Sequence, residues 1–343
     1  MSWLFFGVIA LVTATAIPQE SQTPPLLLRP QRPQGPRQRS PRQFLLSYFV
    51  NNGEGGVFLA TSDDGLHFKP LLEPNVPIMK SELGTDKLTR DPCIMFGPDR
   101  QWHMTWTSGW WERTIGLAHS KDLVHWTQQY VPAMVDFPDA LNAWAPEMTY
   151  DRETQKYVIF WSSTWKGRFA STARSDGDLS PDGEPLNHRY FFTTTSDFKT
   201  FSQSRLLWDP KFNCIDLTMH HSRDGWMVVG KNETRAPQPA KYLFVGTATT
   251  PYGPFHIVNK RITGDYWAEG PTVVHLDGKD SLYRVYFDRY TEGKWGAVES
   301  TDLINWTDVS DKIQMIPGAR HGTIVVVRKD FVDRVRERLR TKH

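Results

Sequence analysis

The stretch Ser120-Lys121-Asp122-Leu123-Val124-His125-Trp126 decides how the rest of the chain is read, because it returns. Written as Ser/Thr-x-Asp-x-x-x-aromatic, it recurs from Ser62 to Phe68, from Thr195 to Phe201 and from Ser300 to Trp306. A degenerate copy, Thr249-x-Pro251-x-x-x-Phe255, fills the remaining gap. Successive copies start 58, 75, 54 and 51 residues apart. Repetition at about 50 residues, broken by one long insertion, marks a repeat architecture.

The physics of one copy is local. Apolar residues run up to the Ser/Thr, as in Ile115-Gly116-Leu117-Ala118 and Trp295-Gly296-Ala297-Val298. The Asp then starts a tight turn, where its side chain accepts hydrogen bonds from nearby backbone N–H groups. The aromatic residue four places on opens the next strand. This is the turn between the third and fourth strands of a small antiparallel sheet, and five such sheets around an axis make an all-β, five-bladed β-propeller. Ser-x-Asp turns are common singly, but five in order at blade spacing are not a chance pattern.

The ends of the chain fit this scheme. Order is expected from Phe44, where Phe44–Val50 and Val57–Ala60 read as outer strands with no inner strand of their own. The run Thr323-Ile324-Val325-Val326-Val327 is a spare inner strand. Placed together they complete one blade, so N- and C-terminal strands close the ring and remove its free edges. The expected organisation is a signal peptide over 1–16, a Pro/Arg-rich disordered linker over 17–43, the propeller over 44–328 and a basic, helical tail over 329–343.

Charge is unevenly spread. Residues 17–43 carry five Arg and one Glu, residues 328–343 carry seven basic and three acidic side chains, and the whole chain is +2, so the body between is −6. No basic stripe runs through that body, which argues against a nucleic-acid binder. Trp3–Val12 is apolar and Ala14-Thr15-Ala16 has the small-x-small pattern of a cleavage site. Ten apolar residues are too few to span a bilayer. The expectation is a secreted, extracellular monomer with no membrane partner. The sequons at Asn232 and Asn305 are candidate glycosylation sites. Cys93 and Cys214 fall on inner strands of non-neighbouring blades, a separation hard for a disulfide to close.

A second series runs in step with the turns. Each inner strand begins with a polar residue: Asp91, Glu147, Asp216, Glu269, His321. Inner strands line the axis, so four carboxylates and a histidine converge on one mouth. Like charges so placed raise one another's pKa and are costly without a task. Two carboxylates across a pocket are the equipment for hydrolysing a glycosidic bond, one protonated as acid and one ionised as base. Glu269, between Trp267 and Gly270-Pro271, is the acid candidate because apolar flanks disfavour its charge. Asp91 beside Arg90 suits the base, and Asp216 is placed to tune and orient Glu269. Arg90, Trp144, Glu147, Lys231, Asp288, Arg320 and His321 are candidate substrate ligands. Trp110 and Trp111 are candidates for stacking on a sugar ring.

At Arg90-Asp91-Pro92, Trp144-Ala145-Pro146-Glu147, Ile215-Asp216, Glu269-Gly270-Pro271 and Arg320-His321-Gly322 the chain resembles glycoside hydrolase family 43, the five-bladed propeller glycosidases. The resemblance implies an inverting hydrolase of arabinofuranosides, galactofuranosides or xylosides in plant or microbial carbohydrate, with Asp91 as base, Glu269 as acid and Asp216 as pKa modulator. It requires no cofactor, but implies a central cation or water, commonly calcium, near His321. The Arg-Asp-Pro triplet is also similar to one in the invertase-type family, whose Trp-x-Asn-Asp-Pro-Asn nucleophile motif is absent here. A glycan-binding propeller without activity is the alternative from another functional class.

Overall fold

The computed structural model describes residues 41–172, 175–222, 225–276 and 282–342. The expected signal peptide and the expected linker as far as residue 40 lie outside them. The first strand, Arg42–Val50, starts inside the segment read as linker. Arg42 and Gln43 are strand because their backbone pairs with Arg328 and Val327 across the closing sheet.

Five four-stranded antiparallel sheets form the five blades of the propeller. Blade 1 runs Arg90–Phe96, Trp102–Thr107, Ile115–Ser120 and Thr127–Val131 from axis to rim. Blade 2 holds Trp144–Asp151, Lys156–Thr164, His188–Thr195 and Arg205–Trp208. Blade 3 holds Cys214–Ser222, Gly225–Asn232, Tyr242–Ala248 and His256–Asn259. Blade 4 holds Glu269–Leu276, Leu282–Arg289, Lys294–Ser300 and Thr307–Asp308. In blade 5 the inner strand is Ala319–Arg328, and it pairs antiparallel with Arg42–Val50, followed by Phe58–Ser62 and Lys69–Pro70.

The ring holds together through apolar clusters between neighbouring sheets. Ile115 and Leu117 of blade 1 pack with Ile159 and Trp161 of blade 2. Val158 and Tyr190 then meet Leu217 and Phe244 of blade 3, and Val229 and Val245 meet Val285 and Phe287 of blade 4. Val274 and Tyr286 meet Leu46 and Ile324 of blade 5, and Leu45 and Leu59 return to Ile94 and Trp106 of blade 1. Both faces of each sheet are therefore covered, which is why second strands such as Trp102–Thr107 are buried along their whole length.

The repeated turn is nearly identical in its four full copies. Ser120 Oγ accepts from Leu123 N–H at 2.9 Å, and Asp122 Oδ1 accepts from Val124 and His125 N–H at 3.0 Å each. The same three bonds recur at Ser62/Asp64, Thr195/Asp197 and Ser300/Asp302. In the degenerate copy Pro251 cannot play the Asp role, and Thr250 Oγ1, one residue later than Thr249, bonds Tyr252 N–H and Gly253 O instead.

The helix Lys329–Lys342 buries Val332, Val335 and Leu339 against the cluster shared by blades 5 and 1. Arg338 reaches Asp122 at 3.1 Å and Lys342 donates to Val124 O at 2.8 Å. Cys93 and Cys214 are buried free thiols. Among the described residues no helix is long and apolar enough to cross a membrane.

Candidate active site

Every inner strand carries the same irregularity near its start. Pairing steps from Arg90↔Thr107 to Cys93↔Thr105 in blade 1, three residues opposite two. It does the same from Trp144 to Glu147, from Ile215 to Thr218, from Glu269 to Thr272 and from Arg320 to Thr323. A β-bulge of this kind leaves one residue unpaired and re-aims its side chain. The residue after the first paired position is in the left-handed region in four blades: Asp91 (φ 53°), Ala145 (φ 46°), Asp216 (φ 55°) and Gly270 (φ 60°). Such a backbone costs about 1–2 kcal/mol at a residue with a side chain. Hydrogen bonds from the blade before help hold it: Ala145 N–H donates to Thr107 Oγ1 (2.8 Å), Asp216 N–H to Ser162 Oγ (3.2 Å) and Gly270 N–H to Asp216 Oδ2 (2.9 Å).

The bulges sort the axial side chains into layers. The mouth layer is Arg90, Trp144, Ile215, Glu269 and Arg320; beneath it lie Asp91, Ala145, Asp216, Gly270 and His321. The next layer is Cys93, Glu147, Thr218, Thr272 and Thr323. Two sequence alignments therefore shift. Glu147 is not the partner of Asp91 but lies one layer deeper, on a different cavity with Cys93, Thr218 and Thr323, and does not line the mouth. Glu269 belongs to the mouth layer, and the position equivalent to Asp91 is Gly270. Glycine is needed there because an added Cβ would stand 2.4 Å from Cγ of His321.

The mouth encloses a cavity of about 230 Å³ reached by Asp91, Asp216, Glu269 and His321 together. Trp110, Trp144, Trp267 and Tyr290 form its aromatic walls. Trp144 Nε1 donates to Trp110 O at 2.7 Å, and the two rings meet edge to face at 5.4 Å. Trp111 packs on Trp144 from outside the cavity and is exposed. Arg90 is steadied by Asn52 Oδ1 at 2.9 Å and lies 4.3 Å from the centre of the Trp110 ring.

His321 sits between two acids, with Nδ1 at 3.3 Å from Asp91 Oδ1 and 4.0 Å from Asp216 Oδ2. Burial disfavours its charge, but Asp216 and Asp91 hold it protonated up to about 9. Burial likewise opposes ionisation of Asp91, but His321, Arg90 and the Thr107 hydroxyl at 2.8 Å bring it down to about 2. Burial, reinforced by Glu269 and opposed by His321, lifts Asp216 to about 6. Glu147, buried and opposed by Thr218 and His321, is pushed up to about 8.

Glu269 departs from expectation. Its surroundings are not apolar: Oε2 accepts from Lys231 Nζ and Oε1 from Arg320 Nη2, each at 2.9 Å. Burial would raise its pKa, but Lys231 and then Arg320 outweigh it and the carboxyl is lowered. The ion pairs continue on both sides. Lys231 also meets Glu233 at 2.7 Å, which takes Lys241 as well. Arg320 meets Asp288 at 2.5 Å. Asp288 is thus a buried anchor for Arg320 rather than a lining residue, its pKa lifted to about 6 by burial and Glu269 against Arg320.

The insertion in blade 2 reaches the cavity through Leu186 and His188. It is pinned by Arg189, which is fully buried and bonds Asp209 (2.5 Å), Asn187 Oδ1 (2.9 Å), His188 O (2.7 Å) and Thr172 Oγ1 (2.8 Å). Thr107, His188, Arg235 and Lys241 were not singled out by sequence. Thr107 had a signal, since it lies opposite Arg90 at the end of a buried strand, but His188 opens a strand directly after the insertion and Arg235 and Lys241 sit on a loop, none of them with a pattern. Asn232 is buried in a middle strand paired on both sides, which withholds it from a glycan, whereas Asn305 is exposed.

The residues around His321 do not fit a directly bound calcium. Calcium takes six to eight oxygen ligands, and an imidazole supplies only nitrogen. Among the described residues no three His, Cys, Asp or Glu side chains are grouped to hold a metal ion.

Residues 41–333 match the model of a family described as a probable glycosyl hydrolase domain related to glycoside hydrolase family 43. Among curated proteins, an alpha-L-arabinofuranosidase of Bifidobacterium longum subsp. longum is 26% identical over 125 residues, 35% of this chain and 12% of the relative. The chain thus matches only a small part of that relative's length. Among solved structures, a thermostable family-43 glycoside hydrolase aligns with TM-score 0.50 and 14% identity, over 68% of this chain and 78% of that one. An alpha-L-arabinofuranosidase from Lactobacillus brevis aligns with TM-score 0.48 and 16% identity, over 64% and 72%. At such identities the structural likeness speaks for the fold alone.

Proposed function

Because the chain belongs to the family described as a probable glycosyl hydrolase domain related to glycoside hydrolase family 43, we propose that it is a secreted hydrolase of furanosidic or pentosidic O-glycosidic bonds. The observation that carries this reading is the shared cavity: Asp91, Asp216 and Glu269 come from three blades and open on one aromatic-walled space. In the proposed single displacement, Asp91 takes a proton from water as the water oxygen bonds to the anomeric carbon. The bond to the leaving oxygen breaks on the opposite face, and Glu269 gives its proton to that oxygen. Lys231 and Arg320 stabilise Glu269 once it is ionised, which makes it a stronger acid but keeps its protonated form scarce. Asp216 orients the site through Gly270 N–H.

The same ion pairs favour a second reading, a propeller that binds glycans without cleaving them. A panel of nitrophenyl furanosides and pyranosides, assayed from pH 4 to 8 with binding measured in parallel, separates the two. Hydrolysis with inversion, seen in the anomer first released, supports the proposal. Asp91→Asn and Glu269→Gln should each lower kcat/KM by about 10²–10⁴-fold with the native circular dichroism spectrum retained. Turnover surviving either substitution removes that residue's role, and tight binding with no cleavage across the panel supports the second reading.

A further inference from the structure

The strand that begins with Arg90-Asp91 at the mouth ends at Phe96, which is 54% exposed. Six residues of strand at about 3.3 Å each put it on the face opposite the cavity. There Phe96 leans on Trp102 (5.2 Å between rings), and Trp102 stacks on Phe331 of the helix (5.4 Å, 22° between planes). These aromatics floor a groove of about 480 Å³ whose edges carry Arg42, Arg100, Lys121 and Arg328. Asp330 meets Arg328 at 3.3 Å.

Arg42 and Arg328 are direct partners across the closing sheet. The pairing sets two guanidinium groups side by side at one edge of the groove.

We propose that this groove is a secondary binding site for an acidic polysaccharide, one sugar face lying on Phe96 and its carboxylates meeting the surrounding cations. Flat apolar C–H faces with regularly spaced anionic groups match an aromatic floor with a cationic rim. A polymer held on this face keeps further bonds at high local concentration near the cavity on the other. The choice of a glycan over other polyanions rests on the glycosidase reading; the test reads binding alone, so the two fail separately.

The test is affinity electrophoresis and calorimetry of the full chain with polygalacturonate, against neutral arabinan, single-stranded DNA and anionic phosphatidylserine vesicles. Polygalacturonate should bind in a salt-sensitive manner and arabinan should not. Phe96→Ala should weaken binding about tenfold, and Arg100→Glu with Lys121→Glu at least as much, with unchanged melting. Binding should persist in Asp91→Asn. The charge-reversed pair carries the test if Phe96→Ala does not fold. No retention by polygalacturonate overturns the proposal, as does retention indifferent to both Phe96→Ala and the charge reversals, or tighter binding to DNA or vesicles.

Discussion

Replacing Gly270 by alanine tests the packing at the axis. The new Cβ would lie 2.4 Å from Cγ, 2.6 Å from Cδ2 and 2.7 Å from Cβ of His321, at a backbone φ of +60°. The left-handed conformation costs about 1–2 kcal/mol for alanine and an overpacked contact about 1–3 kcal/mol more, roughly 2–5 kcal/mol together. Relief requires the imidazole to move by about 1 Å to reach ordinary contact distance. That movement breaks the 3.3 Å approach to Asp91, so the ion pair at the axis fails with the packing. Urea unfolding and thermal melts measure the loss, which corresponds to a fall in Tm on the order of 5–15 °C. The decisive arm is a double-mutant cycle with His321→Ala. Removing the ring leaves only the 2.7 Å contact to Cβ, so Gly270→Ala should cost at least about 1 kcal/mol less in that background. An equal cost with and without the ring would refute the reasoning, as would a variant within about 0.5 kcal/mol of wild type.

Other outcomes follow from the same contacts. Lys231→Met keeps the buried shape but removes a cation 2.9 Å from Glu269, and should raise the Glu269 pKa. A general acid works while protonated, so the alkaline limb of kcat/KM against pH should move upward from a wild-type profile that peaks on the acid side. An unmoved limb would remove Glu269 from the acid role. Arg189→Met leaves Asp209 to Lys211 but removes the buried ties to Asn187, His188 and Thr172 and frees the insertion, at a cost of about 1–3 kcal/mol; a lower urea midpoint and faster proteolysis between residues 165 and 188 check it. His321 has a folded pKa of about 9, above its unfolded value. Its stabilisation is therefore complete below about pH 6.5 and is lost as pH rises through 9. Melting temperatures from pH 6 to 10 should fall over that window in wild type and stay flatter in His321→Gln.

What could be read from sequence was what depends on neighbours along the chain. The Ser-x-Asp turn is closed by hydrogen bonds reaching two or three residues, so its chemistry is visible in seven letters. The closing blade was legible because an unpaired run of Thr and Val at one end matched a missing inner strand at the other. The bulge was not legible, and it moved two assignments. Counting to the first acid gave Glu147 and Glu269, whereas the left-handed residues are Ala145 and Gly270. The environment of Glu269 was hidden for another reason. Its immediate neighbours Trp267 and Pro271 are apolar, but Lys231 is 38 residues away and Arg320 is 51, each delivered by an adjacent blade. Flanking sequence describes the strand a carboxylate stands on, not the strands that face it.

The strand that locks the ring also brings Arg320 and His321 to the axis. Completion of the architecture and completion of the charge constellation are consequently one event. Four blades made without Ala319–Arg328 would leave Asp91 without its imidazolium and Glu269 without its guanidinium, while both edges of the circle stayed open to other chains. A chain cut short before Ala319 lacks at one stroke the strand that closes the circle and the two cations that face Asp91 and Glu269.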